Sequence, residues 1–199
     1  MTAAIFIGCA IVSYLFGSIP TGYLWGRARG IDIRTVGSGN IGATNVMRIL
    51  GKGPGIAVLV IDALKGFLPV FFAPRIFDSG TNLQIVCCLA VIAGHNCTCW
   101  LKFKGGKGVA TSAGALLAFL PLPLLCGLGV WGIVFAISRY VSLASIAAAV
   151  AVPVATWFLQ RDLVWFTAIL GAVAILKHRS NIQRIFAGTE RRAGAKTQA

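Results

Sequence analysis

The chain has 199 residues, of which 57% are hydrophobic and only 12% charged, with a mean hydropathy of +0.84. A soluble domain carries about twice that share of charge, so the composition excludes a water-soluble globule and reads as an integral membrane protein, taken as one domain over residues 1–199. The net charge is +13, from 18 Lys and Arg against five Asp and Glu; because these basic residues lie between long apolar runs, they point to anionic lipid headgroups and anionic substrates as partners, not nucleic acid.

A spanning helix needs about 20 apolar residues. The first such run is Ala3–Trp25. No Lys or Arg precedes it, so it lacks the n-region of a signal peptide. Its end, Gly17-Ser18-Ile19-Pro20-Thr21-Gly22, is small and kinkable, since neighbouring helices satisfy a carbonyl freed by proline. A polar segment, Arg27–Pro54, follows and contains Gly37-Ser38-Gly39-Asn40-Ile41-Gly42-Ala43-Thr44-Asn45-Val46-Met47-Arg48. The glycines spell G-x-G-x-x-G, but no βαβ unit surrounds them and the acid a dinucleotide fold requires is absent from a suitable strand. A loop for an anion fits better. Thr44–Arg48 predict a helical turn with Thr44 and Arg48 on one face. Ser38, Thr44 and Asn45 offer neutral donors, and Arg48 a bidentate fork for phosphate. The plainer alternative is a solvated Gly-rich loop.

The second run, Ile56–Ala73, holds Lys65 with Asp62 three residues earlier. A charged residue within a span marks a functional site by default; the alternative is an ion pair that neutralises itself. Pro74–Thr81 is a short turn, and the third run, Leu83–Trp100, ends on His95 and Asn96. The six cysteines lie mostly in apolar runs, where they act as small hydrophobes, and suggest no disulfide framework. Cys97 and Cys99 near His95 are read as packing residues ahead of a metal or redox site.

Next comes Phe103-Lys104-Gly105-Gly106-Lys107-Gly108-Val109-Ala110-Thr111. Glycines without Cβ let successive backbone N–H groups approach an anion. Val109 and Ala110 open the next apolar run, which puts a helix N-terminus behind the loop, and Lys104 and Lys107 add full charges. The reading is a phosphate cradle at a membrane surface; the alternative is a flexible basic turn obeying membrane topology. It is not a Walker A loop, because Leu101 stands at the first glycine position and Gly108 follows the lysine.

From Gly108 to Ile137 the chain is apolar but broken at Pro121-Leu122-Pro123, so it forms one long span or two short ones. The positive-inside rule decides. With two spans, 15 of the 18 basic residues fall on one side, Arg75 and Arg161 fall opposite, and Lys65 lies in a span. One span would send the basic tail, including Lys196, outside. Val141–Leu159 and Leu163–Leu176 supply the last two spans. In the tail, Ile182, Ile185 and Phe186 recur at i, i+3, i+4 among basic residues, an interfacial amphipathic helix. The expected fold is therefore all-α with seven transmembrane helices, N-terminus outside and C-terminus cytoplasmic. Both glycine loops, the Arg139 turn and the tail are expected at the cytoplasmic face. No internal repeat suggests a transporter.

The acids, Asp32, Asp62, Asp78, Asp162 and Glu190, have no pairing at a spacing of three or four with one another, and a two-metal phosphotransferase needs a carboxylate cluster; no metal or cofactor is expected. Neither His95 nor His178 has an acid five residues on, where Trp100 and Gln183 stand. The His-x4-Asp arrangement of many acyltransferases is thus missing, and no Gly-x-Ser-x-Gly elbow supports a serine triad. What remains is a set of cations and neutral donors, suited to phosphorylated substrates that are already activated, with catalysis by positioning and electrostatic stabilisation.

The motif Gly37-Ser38-Gly39-Asn40-x-Gly42-x-Thr44-Asn45-x-x-Arg48, then Gly94-His95, then Phe103–Thr111, resembles the bacterial acyl-phosphate:glycerol-3-phosphate acyltransferase family, PlsY. Asp62-x-x-Lys65-Gly66, Arg139–Ser145 and His178-Arg179-x-Asn181-Ile182-x-Arg184 extend the resemblance over nearly the whole chain. Thr98 stands where the family usually has proline and Ser180 where it usually has an acid. The resemblance implies transfer of a fatty acyl group from acyl phosphate to glycerol 3-phosphate in the bacterial inner membrane, at a site on the cytoplasmic side, with membrane lipid as the surroundings. It implies that Ser38, Thr44, Asn45, Arg48, Lys104, Lys107, Ser142, His178 and Asn181 bind the phosphates or stabilise the transition state. Ser38, Arg48, Lys104, His178 and Asn181 are the catalytic candidates. Gly105 and Gly106 shape the loop, and Lys65 and His95 are further binding candidates. A histidine and a substrate phosphate oxygen both stand open as the proton acceptor. The rival reading is a transporter or channel for phosphorylated solutes, poorly signed by short outer loops that carry only Arg75 and Arg161.

Overall fold

The computed structural model describes residues 2–194; Lys196, counted above with the basic tail, lies outside the described residues. Among them all regular structure is helical. The chain divides into two compact units, one ending at Phe119 and one beginning at Leu120, where composition alone gave no internal boundary. The first unit contains α1 (Ala3–Ser18), α2 (Thr21–Arg27), α3 (Ala43–Leu50), α4 (Lys52–Ile76), α5 (Thr81–Asn96), a 3-10 turn (Cys99–Leu101) and α6 (Val109–Leu117). The second contains α7 (Pro121–Ser138), α8 (Val141–Leu159), a 3-10 turn (Arg161–Leu163), α9 (Val164–Lys177) and α10 (Arg179–Phe186).

Five stretches are long and apolar enough to cross a membrane: Ala3–Arg27, Lys52–Ile76, Thr81–Leu101, Pro121–Ser138 and Val141–Leu159. A sixth qualifies if α9 and α10, bent by 56° at their junction, count as one span. The helices expose large apolar side chains outward, Ile137 at 82% and Phe158 at 80% among them, as a bilayer-facing surface does. The expected fourth span is α6, with nine residues. At 1.5 Å per residue it is about 14 Å long, about half of the hydrocarbon core, so it does not cross by itself.

Proline sets two of the boundaries. The residue before a proline is steered away from helical backbone. Ile19, before Pro20, has ψ 113° and separates α1 from α2; Leu120, before Pro121, has φ −129° and ψ 54° and starts α7 on a proline, which tolerates the first helical turn.

In the first unit, α1 packs on α5 and α6 on α4 at glycine contacts. A Cβ on Gly17 would strike the Val91 carbonyl and one on Gly94 the Tyr14 carbonyl; Gly66 and Gly114 lie likewise against the backbones of Thr111 and Ala63. Small residues let helix backbones close up where lipid supplies no hydrophobic drive. In the second unit α8 packs between α7 and α9, and Trp131 Nε1 donates to Ser145 Oγ at 3.2 Å. The tail returns to the α7–α8 turn: Ala193 N–H donates to the Arg139 carbonyl at 2.8 Å, and Arg139 itself adopts left-handed backbone at φ 60°.

Candidate active site

The first glycine motif is held by one side chain. Asn45, on the first turn of α3, is fully buried; its Oδ1 accepts the Ser38 N–H at 2.8 Å, and its Nδ2 donates to the carbonyls of Ile33 and Val36, both at 3.1 Å. The amide therefore ties residues 33–38 into a loop over α3. Gly37, at φ 64°, makes the turn, and a Cβ there would strike Asn45 Oδ1. The predicted turn over Thr44–Arg48 is the body of α3. Ser38 and Thr44 are exposed and Arg48 is half-buried. Asp32 ends the strap that precedes the loop. Both oxygens bind the Arg34 guanidinium, at 2.9 and 2.6 Å, and the Arg34 backbone N–H adds a third bond; together they hold the half-buried carboxyl at about 2.

Leu101, at the threshold of the lysine loop, is packed in the same apolar cluster as Ile33, Ile41 and Val46 of the first motif and Val58 of α4. The two glycine motifs thus share one core. In the second motif Lys104 is exposed and Lys107 half-buried. The glycines between them lie against the end of α5. Gly106 N–H donates to the His95 carbonyl at 3.0 Å. A Cβ on Gly105 would strike that carbonyl, one on Gly106 the His95 imidazole, and one on Gly108, at φ 77°, the Asn96 amide. The sequence reads these glycines as room for a ligand; the structure also gives them a neighbour inside the protein, namely His95 and Asn96.

Lys65 and His95 come together around Asp62. Lys65 and Asp62 are each 3% exposed. Lys65 Nζ lies 2.7 Å from Asp62 Oδ1 and donates to the Ile19 carbonyl at 2.9 Å. Thr21 Oγ1 donates to the same Asp62 oxygen at 3.0 Å, and His95 Nδ1 stands 3.9 Å from it. A charge moved out of water demands such partners. Two of the three Lys65 donors are committed within the protein, so Lys65 is placed as an internal pair member.

In the second unit the candidates Ser142 and Asn181 meet on an acid that sequence reading passed over. Glu190 Oε1 accepts from Ser142 Oγ at 2.7 Å and from Asn181 Nδ2 at 2.6 Å; Oε2 accepts from Arg184 Nε at 2.7 Å. Burial would raise the Glu190 carboxyl, but the bonds from Ser142, Asn181 and Arg184, with the Arg184 charge, outweigh it and hold it below its ordinary value. The signal available in the sequence was an acid six residues after Arg184 in an otherwise basic tail. His178, buried at the α9–α10 bend, places Nδ1 2.8 Å from the Ala174 carbonyl. A carbonyl only accepts, so Nδ1 carries the proton and Nε2 is the basic nitrogen of the neutral ring.

Among the described residues no group of three or more His, Cys, Asp or Glu side chains is placed to hold a metal ion. The two units offer cations and neutral donors: Arg48, Lys104 and Lys107 in the first, Ser142, His178 and Asn181 in the second.

A family model described as glycerol-3-phosphate acyltransferase matches residues 7–188. Glycerol-3-phosphate acyltransferase of Geobacter sulfurreducens is 48% identical over 183 residues, covering 91% of this chain and 94% of that one; the protein of the same name from Endomicrobium trichonymphae is 46% identical, covering 90% and 92%. Two crystal structures of PlsY (YgiH), an integral membrane glycerol 3-phosphate acyltransferase, are similar in fold. The glycerol 3-phosphate form has a TM-score of 0.89 at 39% identity over 95% of this chain and 96% of that one. The lysophosphatidic acid form has a TM-score of 0.86 at 38% identity over 95% of each. An all-helical, lipid-facing chain with two glycine-framed basic loops and matches of this extent belongs to the glycerol-3-phosphate acyltransferase family, PlsY.

Proposed function

We propose that this chain transfers a fatty acyl group from acyl phosphate to the sn-1 hydroxyl of glycerol 3-phosphate, yielding 1-acyl-glycerol 3-phosphate (lysophosphatidic acid) and inorganic phosphate, the first step of phospholipid synthesis. Family membership supports the acyltransferase class. The observation that carries the donor choice is the set of Arg48, Lys104 and Lys107 on glycine-framed segments that share one core, with the neutral donors Ser142 and Asn181 held on Glu190. The hydroxyl oxygen attacks the acyl carbonyl carbon, the bond from that carbon to the phosphate oxygen breaks, and the hydroxyl proton leaves. Phosphate is a good leaving group, so a weak base suffices. Arg48, Lys104 and Lys107 hold phosphate oxygens and balance the charge that gathers on the leaving group. Ser38, Thr44, Ser142 and Asn181 orient the polar groups, and Asn45, Gly105, Gly106 and His95 hold the loops. Two acceptors fit the proton, His178 Nε2 and a substrate phosphate oxygen, and the pH profile of His178→Gln separates them.

The arrangement in the membrane belongs to the same proposal: seven crossings, the short fourth made by α6 with the bilayer thinned around it, N-terminus outside and C-terminus cytoplasmic, in the bacterial inner membrane. The asymmetry of 15 basic residues against two supports it. The test is purified protein with glycerol 3-phosphate and a chelator, offered acyl phosphate or acyl-coenzyme A in turn, with release of phosphate measured. Acyl phosphate should be turned over with the chelator present. Comparable turnover of the thioester refutes the donor assignment, and substrate binding without product favours the transporter reading.

A further inference from the structure

We infer that Asp62 and Lys65 are positioning residues for the lysine loop, acting through His95 and not through contact with substrate. This rests on the reading that Lys104 and Lys107 bind a substrate phosphate. The starting point is the break at Pro20. Proline has no N–H and frees a carbonyl of the preceding turn. The Ile19 carbonyl sits at that break, inside an apolar run, and accepts from both the Thr21 N–H at 3.0 Å and Lys65 Nζ of α4 at 2.9 Å. Thr21 Oγ1, on the first residue past the break, donates to Asp62 at 3.0 Å. One ion pair on α4 therefore pins both sides of the gap between α1 and α2.

The same carboxylate faces α5. Asp62 Oδ1, which takes Lys65 at 2.7 Å, is 3.9 Å from His95 Nδ1. The His95 ring fills the space that a Gly106 Cβ would need, and the His95 carbonyl takes the Gly106 N–H at 3.0 Å. His95 thus packs against the α4 carboxylate on one side, at 3.9 Å, a packing contact and not a hydrogen bond, and on the other forms the floor of the Gly105–Gly106 turn. Lys104 and Lys107 flank that turn directly. A shift of the imidazole moves the floor, and the two ammonium groups move with the backbone that carries them. Displacements of about 1 Å in a positioned group are enough to cost rate or affinity. Thr98, on the approach to the loop, is fastened to the same break, its Oγ1 donating to the Ser18 carbonyl at 2.5 Å. The break, the pair and the loop form one connected structure.

The test compares the Michaelis constant for glycerol 3-phosphate, the turnover number and the melting temperature in four backgrounds. Lys104→Ala and Lys107→Ala report on the loop itself. Asp62→Asn/Lys65→Met removes both buried charges together, so neither is left unpaired. Thr21→Val removes one hydroxyl and keeps both charges, and Thr21→Ser restores it. The double variant should melt close to the parent but raise the Michaelis constant about tenfold, with turnover changed much less. Thr21→Val should raise it about threefold, with Thr21→Ser returning it. If the lysine variants change nothing, the loop reading fails and the inference falls with it. If they act while the double variant and Thr21→Val leave the Michaelis constant at the parental value, the inference alone is refuted. If the double variant acts and Thr21→Val does not, Lys65 contacts substrate itself, which also refutes it. Failure of the double variant to fold leaves the Thr21 pair to decide.

Discussion

Replacing Glu190 by glutamine tests whether the tail acid orients Ser142 and Asn181. In the parent, one carboxylate oxygen accepts from Ser142 and Asn181 and the other from Arg184. Glutamine brings one carbonyl and one amide nitrogen. With the carbonyl toward Ser142 and Asn181, the new N–H groups confront the Arg184 Nε–H. Turned around, they confront the Asn181 amide. Either way one charge-assisted bond is lost, which is worth about 1.5–3 kcal/mol. The Arg184 side chain is 36% exposed and the Glu190 side chain 10%, so water takes up part of the loss at arginine and the lower end applies. At about 2–4 °C per kcal/mol for a chain of this size, Glu190→Gln should lower the melting temperature by about 3–6 °C. If Asn181 stabilises the transition state, turnover should fall about tenfold, the rate equivalent of 1.4 kcal/mol.

Acid should reproduce the effect. The Glu190 carboxyl sits below its ordinary value of 4.5 in the folded chain. A depressed folded value contributes stability that is fully present above the ordinary value and is lost as pH falls through the depressed one. A melting series from pH 7 downward should therefore lose a component below pH ~4.5 in the parent that Glu190→Gln lacks. Asp32, held at about 2 by Arg34, titrates further down and is common to both. Parental melting and turnover in Glu190→Gln, or identical acid limbs in the two proteins, would show that the carboxylate orients nothing.

Arg48→Ala should cut turnover by about a hundredfold or more in protein that still purifies folded, and Arg48→Lys should recover part of it because an ammonium cannot reproduce the planar fork; full activity in Arg48→Ala removes this residue from the site. Asn45→Asp should destabilise the chain by about 2–4 kcal/mol, since a carboxylate would face the Ile33 and Val36 carbonyls that the amide now serves, and a melting curve reads this without reference to substrate. Single-cysteine labelling in intact cells should find a cysteine at position 104 protected from an impermeant reagent and one at position 161 reactive, and the reverse pattern would overturn the proposed orientation.

Five of the expected spans were legible because a helix in lipid must satisfy its own backbone and present apolar side chains all round, which leaves a run of about 20 residues as a local signature. Val141–Leu159 is read from the sequence with the bounds that α8 has, and the breaks at Pro20 and Pro121 follow from proline geometry alone. That the fourth segment is short was legible in the break at Pro121, but its end at Leu117 was not. Pro121 forbids the helix from running past Leu120, but nothing in the equally apolar residues before it places the end at Leu117. Partners far apart in sequence were the larger gap. Asp62 beside Lys65 is visible at a spacing of three, but the Ile19 carbonyl that is the lysine's second partner lies 46 residues away. The glycines of the lysine loop announce a close approach without saying to what, and His95 is recognised as that neighbour only in three dimensions.

A chain with 18 basic residues and five acids has no shortage of positive charge for phosphates, so its scarce acids are better placed where they organise that charge. Three of them fit this account: Asp32 bonds Arg34 in the strap before the first glycine motif, Asp62 bonds Lys65 beneath the second, and Glu190 bonds Arg184 while gathering Ser142 and Asn181. Each takes one cation out of the pool and fixes it, together with a loop or a neutral donor. An acid pointing at those lysines would compete with phosphate for them; an acid bound to its own partner stiffens the frame without that competition. On the proposed assignment, this division of labour gives a site of cations and neutral donors a use for its few carboxylates. It also explains why removing one of the three should be felt as misplacement of neighbouring groups, with a loss of affinity or turnover that is larger than the loss of a single surface ion pair.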